Sequence, residues 1–330
     1  MEKVLVTGGS GFIALHCIDQ LLEKGFMVRT TIRSESRKDE IIKAMDKYPN
    51  LDQNLDFHIC DLLEDEGWDA AVDGCDYVLH VASPFILEVP SDEDVLIRPA
   101  VDGTLRVLNA CSKVDVKKVV LTSSVAAVAY GHDSEKTFDE SDWSNTGENS
   151  GITPYAKSKT LAERVAWEFA DTNSIDLVVI NPGGVLGPTL TGRVQGESLT
   201  FISDIINGKY PLVPDISVLL IDVRDVAKLH VAAITAEGAV GKRFIAASDE
   251  PLHFKEVTGI LKDAGYKKAS TRQAPKFLLK LMSLFDDQVK GLLPMVGERQ
   301  TVANKETYEI LQWEPTPIEQ SLIETAESIA

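Results

Sequence analysis

Residues 3–14, Lys-Val-Leu-Val-Thr-Gly-Gly-Ser-Gly-Phe-Ile-Ala, constrain this chain more than any other stretch. Val4, Leu5 and Val6 form a short apolar run that stops at Thr7-Gly8-Gly9. An amphipathic helical pattern (Phe12, Ile13, Cys17, Ile18, Leu21, Leu22) follows at once. A buried strand turning through glycines into a helix gathers backbone N–H groups and the positive end of a helix dipole at one point, which suits a pyrophosphate. Gly9-x-Gly11-x-x-Ala14 fits the dinucleotide pattern, with alanine in the last place, where a small residue lets helix and strand pack closely. The same turn occurs in α/β proteins that bind nothing there, so the strand–turn–helix context carries the reading. Thr7, Gly8, Gly9, Ser10, Gly11, Phe12 and Ile13 are the candidate cofactor contacts of this turn.

Beyond it the chain alternates strand and helix. Strand patterns cover residues 26–32, 55–60, 77–81, 117–121 and 178–180, with helical stretches at 35–47, 68–72, 92–114 and 154–171. That order predicts a parallel, doubly wound α/β sheet of the Rossmann type, with ligands at the carboxyl ends of its strands. After residue 187 the alternation loosens into helical pieces at 198–207, 254–264, 274–293 and 318–329, with two further strands at 217–221 and 243–247. The expected division is a dinucleotide-binding domain of residues 1–181 with 216–248, and a smaller, mostly helical substrate lobe of 182–215 with 249–330.

The end of the second strand bears on the choice of dinucleotide. An NAD-selective site places Asp or Glu there for the ribose hydroxyls. This chain reads Ile32-Arg33-Ser34, with Arg37 and Lys38 close behind. A guanidinium suits the extra 2′-phosphate of NADP, and the alternative is a solvated charge beside Glu35. Asp61, after the third strand, is placed either for the adenine edge or as a helix cap.

Proton chemistry points to Tyr155-Ala156-Lys157-Ser158-Lys159. Positions i and i+4 share a helix face, so Tyr155 and Lys159 project together. A phenol titrates near pH 10 in water. An ammonium about 4 Å away, at an effective dielectric near 20, favours the phenolate by about 4 kcal/mol, or roughly three pKa units before desolvation opposes it. Lys159 is therefore expected to bring Tyr155 towards the range useful for general acid–base catalysis. Ser124, at the mouth of the neighbouring strand, is placed to hold a carbonyl oxygen beside the phenol.

These motifs together resemble the extended short-chain dehydrogenase/reductase family. The likeness runs through Thr7-Gly8-x-x-Gly11-x-x-Ala14, Asp61-Leu62, His80-Val81-Ala82-Ser83-Pro84, Thr122-Ser123-Ser124, Tyr155-x-x-x-Lys159, Asn181-Pro182-x-x-Val185-x-Gly187-Pro188, Asp222-Val223-Arg224-Asp225-Val226-Ala227 and Leu311-Gln312-Trp313-x-Pro315. Val28-Arg29-x-x-Ile32-Arg33 and Lys157-Ser158-Lys159-Thr160-Leu161-Ala162-Glu163 are most similar to the dihydroflavonol 4-reductase-like branch, with its aldehyde and ketone reductases. The resemblance implies that Ser124, Tyr155 and Lys159 are catalytic and that Arg33 holds the 2′-phosphate. It also implies that Val81, Ala82 and Ser83 line the cofactor and that Pro182 and Val185 flank the nicotinamide. Leu62, Thr122 and Ser198 complete the implied cofactor set. Two departures stand out. Ala100-Val101-Asp102 replaces an Asn that many extended members carry near the start of the long helix. Ala129 stands where plant flavonoid reductases carry a substrate-recognising Asn.

The implied reaction is NADPH-dependent reduction of an aldehyde or ketone. The alternatives on one scaffold are a nucleotide-sugar epimerase or hydroxysteroid-type dehydrogenase, and a non-catalytic NADP-sensing regulator. An epimerase needs cations for a second pyrophosphate. The region 294–302 offers one Arg beside a Glu, while Phe277, Leu278, Leu281, Met282 and Phe285 form an apolar set, most of which is expected in ordinary core packing. Arg193 and Arg272 are further cations with no assigned partner at this point. A net charge of −18 argues against a nucleic-acid partner or an anionic membrane surface. Cys17, Cys60, Cys75 and Cys111 lack metal-type spacing and read as buried thiols of a cytoplasmic protein, so no metal is expected. The expected partner is a small-molecule carbonyl compound, with the chain a monomer or homodimer.

Overall fold

Seven short strands, most of them rich in buried apolar residues, form the centre of the computed structural model. It describes residues 1–83, 92–132, 136–285, 289, 292–297 and 299–330. The strands are β1 (Lys3–Val6), β2 (Met27–Ile32), β3 (Leu55–Ile59), β4 (Tyr77–His80), β5 (Lys118–Thr122), β6 (Leu177–Pro182) and β7 (Arg243–Ala246). They pair in the order β7-β6-β5-β4-β1-β2-β3, and every pairing is parallel. In a parallel sheet covered on both faces the strands read as continuous apolar runs, and every residue of β5 and β6 is indeed buried. The order reverses between β1 and β4, which opens the crevice in which such sheets bind ligands.

The helices that frame this crevice are α1 (Phe12–Glu23), α2 (Asp94–Cys111) and α3 (Pro154–Asn173). Pro99 lies inside α2. One apolar core, including Ile18, Leu21, Val120, Ile180 and Phe244, covers one face of the sheet. A second, built from Leu5, Trp68, Val107, Leu108, Ala166 and Val179, covers the other.

The later segments comprise α4 (Gly196–Asn207), α5 (Val223–Thr235), α6 (Phe254–Asp263), α7 (Lys276–Met282), α8 (Lys305–Leu311) and α9 (Ile318–Ile329). Leu186, Ile202, Ile205, Leu220, Leu261 and Leu322 knit α4, α6 and α9 into a core separate from the sheet. Two expectations need correction here. The strand expected at 217–221 is two pieces, Ser217–Val218 and Leu220–Asp222, and neither joins the main sheet. The chain changes partner at Leu219, pairing Ser217–Val218 with Leu252–His253 antiparallel and Leu220–Asp222 with Gly184–Leu186 parallel. The helix expected over 274–293 is interrupted: α7 forms its start, residues 283–285 are a turn, Val289 and Leu292 are helical again, and 286–288, 290 and 291 lie outside the described residues. Within 35–47 a turn of 3₁₀ helix (Glu35–Arg37) precedes a short helix, Lys38–Ala44.

Candidate active site

The turn after β1 is held by the neighbouring strand. Gly8 takes φ +71°, its N–H donates to Thr31 Oγ1 at 2.9 Å, and the Gly9 N–H donates to the Thr31 carbonyl at 2.8 Å. A Cβ at Gly9 would fall 2.1 Å from Thr30 Oγ1, and one at Gly8 would fall 2.9 Å from Ala82 Cβ. Only glycine lets β1, β2 and β4 converge this closely. Gly11 is the N-cap of α1 in extended backbone and supplies no side-chain acceptor to the first-turn N–H groups. Those donors, with Ser10, Phe12 and Ile13 around them, face the end of the sheet as an anion site requires. Thr7 has a different task. It is fully buried, shares a hydrogen bond of 2.9 Å with His80 Nδ1, and accepts from the Ala82 N–H at 2.9 Å. It shapes the crevice between β1 and β4, with its side chain committed inside.

Ser124 follows β5, and Tyr155 and Lys159 stand on successive turns of α3. Thr153 caps that helix by accepting the Ala156 N–H at 3.2 Å, and Pro154 follows it, so the helix start places Tyr155 in the first turn. The Ser124 hydroxyl lies close enough to the Tyr155 phenol to lower its pKa. Ser124 Oγ also accepts from the Ala126 N–H at 3.1 Å and makes a long contact of 3.4 Å to the Pro182 carbonyl. Lys159 is buried, and its Nζ donates to Ser83 Oγ at 2.8 Å. The ends of β4, β5 and β6 and the face of α3 thus meet at one place.

The electrostatics differ from expectation. Burial pushes the Tyr155 phenol above its ordinary value, and the nearby Ser124 hydroxyl only partly offsets this. The ammonium itself is displaced: burial brings Lys159 down to about 8, against the pull of Glu163. Removing two polar groups from water costs more here than their placement on one helix face returns. His80, beside Lys159, is pushed down to about 3 by burial first and by that ammonium second, so it is neutral.

The other candidates divide by what they touch. Arg33 is exposed just past β2 and, among the described residues, has no ion pair. Arg37 pairs with Glu40 at 3.2 Å, and the Lys38 ammonium lies 5.2 Å from the centre of the Phe57 ring. Asp61 accepts the Leu63 N–H at 3.0 Å in a turn where no helix begins, and Leu62 packs against Gly103 of α2. Val81 and Ala82 are half-buried beside the glycine turn. Thr122 is 2.6 Å from His230 Nε2 and is structural in its side chain. Pro182 ends β6, Val185 packs on the sheet core, and Ser198 is half-buried in the first turn of α4.

Several expectations about the substrate side fall differently. Phe277, Leu281, Met282 and Phe285 are not core residues; Phe277 is 74% and Phe285 85% exposed. Arg193 pairs with Glu40. Pro84, Glu298 and most of the loop 85–94 lie outside the described residues, as do 133–135 of the acidic stretch. Ser123, Glu163, Asn181 and Arg243 form a buried set behind Ser124; three of them stand in the quoted motifs, but the sequence does not show that the four meet. The visible signal is a carboxylate four residues past Lys159 on the same helix face.

Comparison with known proteins bears on this geometry. The model of the NAD dependent epimerase/dehydratase family matches residues 4–247. A cinnamoyl-CoA reductase of Medicago truncatula is 36% identical over 99% of this chain and 95% of its own length. A bifunctional dihydroflavonol 4-reductase/flavanone 4-reductase of Pyrus communis is 29% identical over 92% of this chain and 96% of its own. The yeast methylglyoxal/isovaleraldehyde reductase Gre2, solved in complex with NADPH, superposes with a TM-score of 0.80 at 26% identity, covering 99% of this chain and 98% of that one.

Proposed function

Since this chain belongs to the NAD dependent epimerase/dehydratase family, we propose that it reduces an aldehyde or ketone to the alcohol, with Tyr155 as proton donor. It is an NADP-dependent oxidoreductase of the extended short-chain type, akin to the cinnamoyl-CoA, dihydroflavonol and methylglyoxal/isovaleraldehyde reductases. The described residues fit the cofactor. The glycine turn packs so closely on β2 that a Cβ at Gly9 would strike Thr30, and the uncapped start of α1 offers N–H donors to a pyrophosphate. Arg33 offers its guanidinium to a 2′-phosphate. Bound there, NADPH supplies the hydride.

The rest of the chemistry belongs to the chain. The observation that carries it is the approach of the Ser124 hydroxyl to the Tyr155 phenol, one helical turn before the buried Lys159. Burial holds Tyr155 as a neutral phenol near pH 7, so its proton is in place before reduction begins. The Ser124 hydroxyl can exchange its 3.4 Å contact with the Pro182 carbonyl for a stronger bond to a developing alkoxide. Tyr155 then passes its proton to that oxygen. The resulting phenolate faces the Ser124 hydroxyl, with the Lys159 ammonium on the next turn. The proposed substrates are modest, largely apolar carbonyl compounds.

Tyr155→Phe removes one hydroxyl and little else. Turnover of a responsive carbonyl compound, followed by loss of NADPH absorbance, should fall by roughly 10²–10⁴-fold while NADPH binding persists. A Tyr155→Phe enzyme with most of its activity would remove the phenol from the mechanism. Failure of the parent enzyme to reduce any aldehyde or ketone in a broad panel would overturn the substrate class.

A further inference from the structure

Behind the site lies a buried charge cluster that the reaction as described does not use. Glu163 is the third residue, after Tyr155 and Lys159, in an i, i+4, i+8 series along α3, and its side chain has no exposed surface. Its carboxylate accepts from Ser123 Oγ at 2.5 Å, Asn181 Nδ2 at 2.7 Å and Trp167 Nε1 at 3.3 Å. It is paired with Arg243 Nε at 2.5 Å. Arg243 is anchored in turn: its guanidinium donates to the carbonyls of Ala127, Glu140 and Asp142 and lies 3.9 Å from the centre of the Trp143 ring.

Two links run from this carboxylate to the reacting groups. Asn181 Nδ2, held by Glu163, also donates to the Ser124 carbonyl at 3.1 Å, while Ser123 is gripped directly. The backbone on which Ser124 stands is therefore tied down at two consecutive residues. The second link is electrostatic. Lys159 and Glu163 line one small hollow with Ser83 and Ser123, while Arg243, paired with the same carboxylate, is not part of that lining. A buried carboxylate with four donors is costly to assemble unless it is fully satisfied, and this one is.

We propose that Glu163 is a positioning residue: it fixes the Ser123–Ser124 turn through Asn181 and supplies the negative charge that keeps Lys159 an ammonium. The inference rests on the reading of Ser124, Tyr155 and Lys159 given above. The titratable and charged groups facing Lys159 are Tyr155 and Glu163 on its own helix and His80 at the end of β4, with Arg243 of β7 behind Glu163. His80 is neutral and contributes no charge. Among the described residues, Glu163 is thus the anion opposing the burial that favours neutral Lys159.

The test reads Lys159 directly. In the full-length protein with ε-¹³C-labelled lysine, the signal absent from Lys159→Arg is assigned to Lys159 and titrated by NMR. Glu163→Gln should lower its midpoint by about one pH unit or more, and its activity should fall away at correspondingly lower pH. Glu163→Asp should restore much of the midpoint. Because Glu163→Gln leaves Arg243 buried without its anion, the pair Glu163→Gln/Arg243→Met is measured as well, and its Lys159 midpoint should also move down, by less. An unchanged midpoint in either folded variant overturns the proposal. Such a result would leave the proton-donor assignment standing, since only the Tyr155→Phe experiment decides that.

Discussion

Arg33 stands one residue past the end of β2 with its guanidinium exposed and, among the described residues, no carboxylate partner. Its neighbours are occupied, Arg37 by Glu40 and Lys38 by the Phe57 ring. A cation left unengaged at the ribose end of a dinucleotide crevice favours the 2′-phosphate. Arg33→Ala should raise the KM for NADPH by roughly ten- to a hundredfold and leave that for NADH nearly unchanged. Equal kcat/KM for both dinucleotides in the parent enzyme would remove this role. Residues of this kind were legible in the sequence because their task depends on type and place: a glycine that must meet Thr30, a cation at a strand end, a phenol one turn from an amine. Glu163, Asn181 and Arg243 were not, because they come from α3, β6 and β7 and acquire meaning only where those elements meet. Thr7 and Thr122 were read as cofactor contacts, whereas their hydroxyls turn inward to His80 and His230.

At the scale of elements, α3 does most of the organising. Its inward face carries Ala156, Lys159, Thr160, Ala162, Glu163 and Ala166, mostly small side chains that let it lie closely against α2 and the sheet. That closeness takes Lys159 out of water and brings its ammonium down to about 8. Lys159 is therefore charged below about pH 8 and neutral above it. The reductase should lose turnover as pH rises through that value, well before an ordinary lysine would titrate. A kcat profile flat to pH 10 would show that the ammonium is dispensable. The period-3.6 pattern of α3 was plain in the sequence, as were the runs of β5 and β6. The same pattern misled at 274–293. Phe277, Leu281 and Phe285 recur at helical spacing, yet they stand exposed, because periodicity reports that a helix has an apolar face and not what covers it. The segment 217–221 has a strand's composition, but a change of pairing partner at Leu219 divides it.

At the scale of the whole molecule, the C-terminal segment is tied to the rest through several buried polar groups, the Asp222 carboxylate among them. Asp222 caps α5 by accepting the Arg224 N–H at 2.7 Å, pairs with the Arg224 guanidinium at 2.7 Å, and accepts from Ser321 Oγ of α9 at 2.7 Å. Arg224 reaches on to Glu324 at 2.6 Å, and Thr325 accepts the Gly187 N–H at 2.7 Å. The helix at the chain's end is thereby tied to the strand Gly184–Leu186 and to α5, the same region that carries Pro182 and Val185 towards the site. Burial alone would push the Asp222 carboxyl up. The bonds from Arg224 and Ser321 outweigh it and hold the carboxyl below its usual range. A carboxyl depressed in the folded state stabilises above its unfolded value, near 4, and that contribution is lost as pH falls through the folded value. Asp222→Asn should therefore cost about 1.5–3 kcal/mol at pH 7, read as a lower urea midpoint with an unchanged slope. The gap between parent and variant should narrow steadily as the pH is taken below about 4. A gap that stays constant from pH 7 into acid would mean that this tie depends on the shape of the Asp222 side chain and not on its charge.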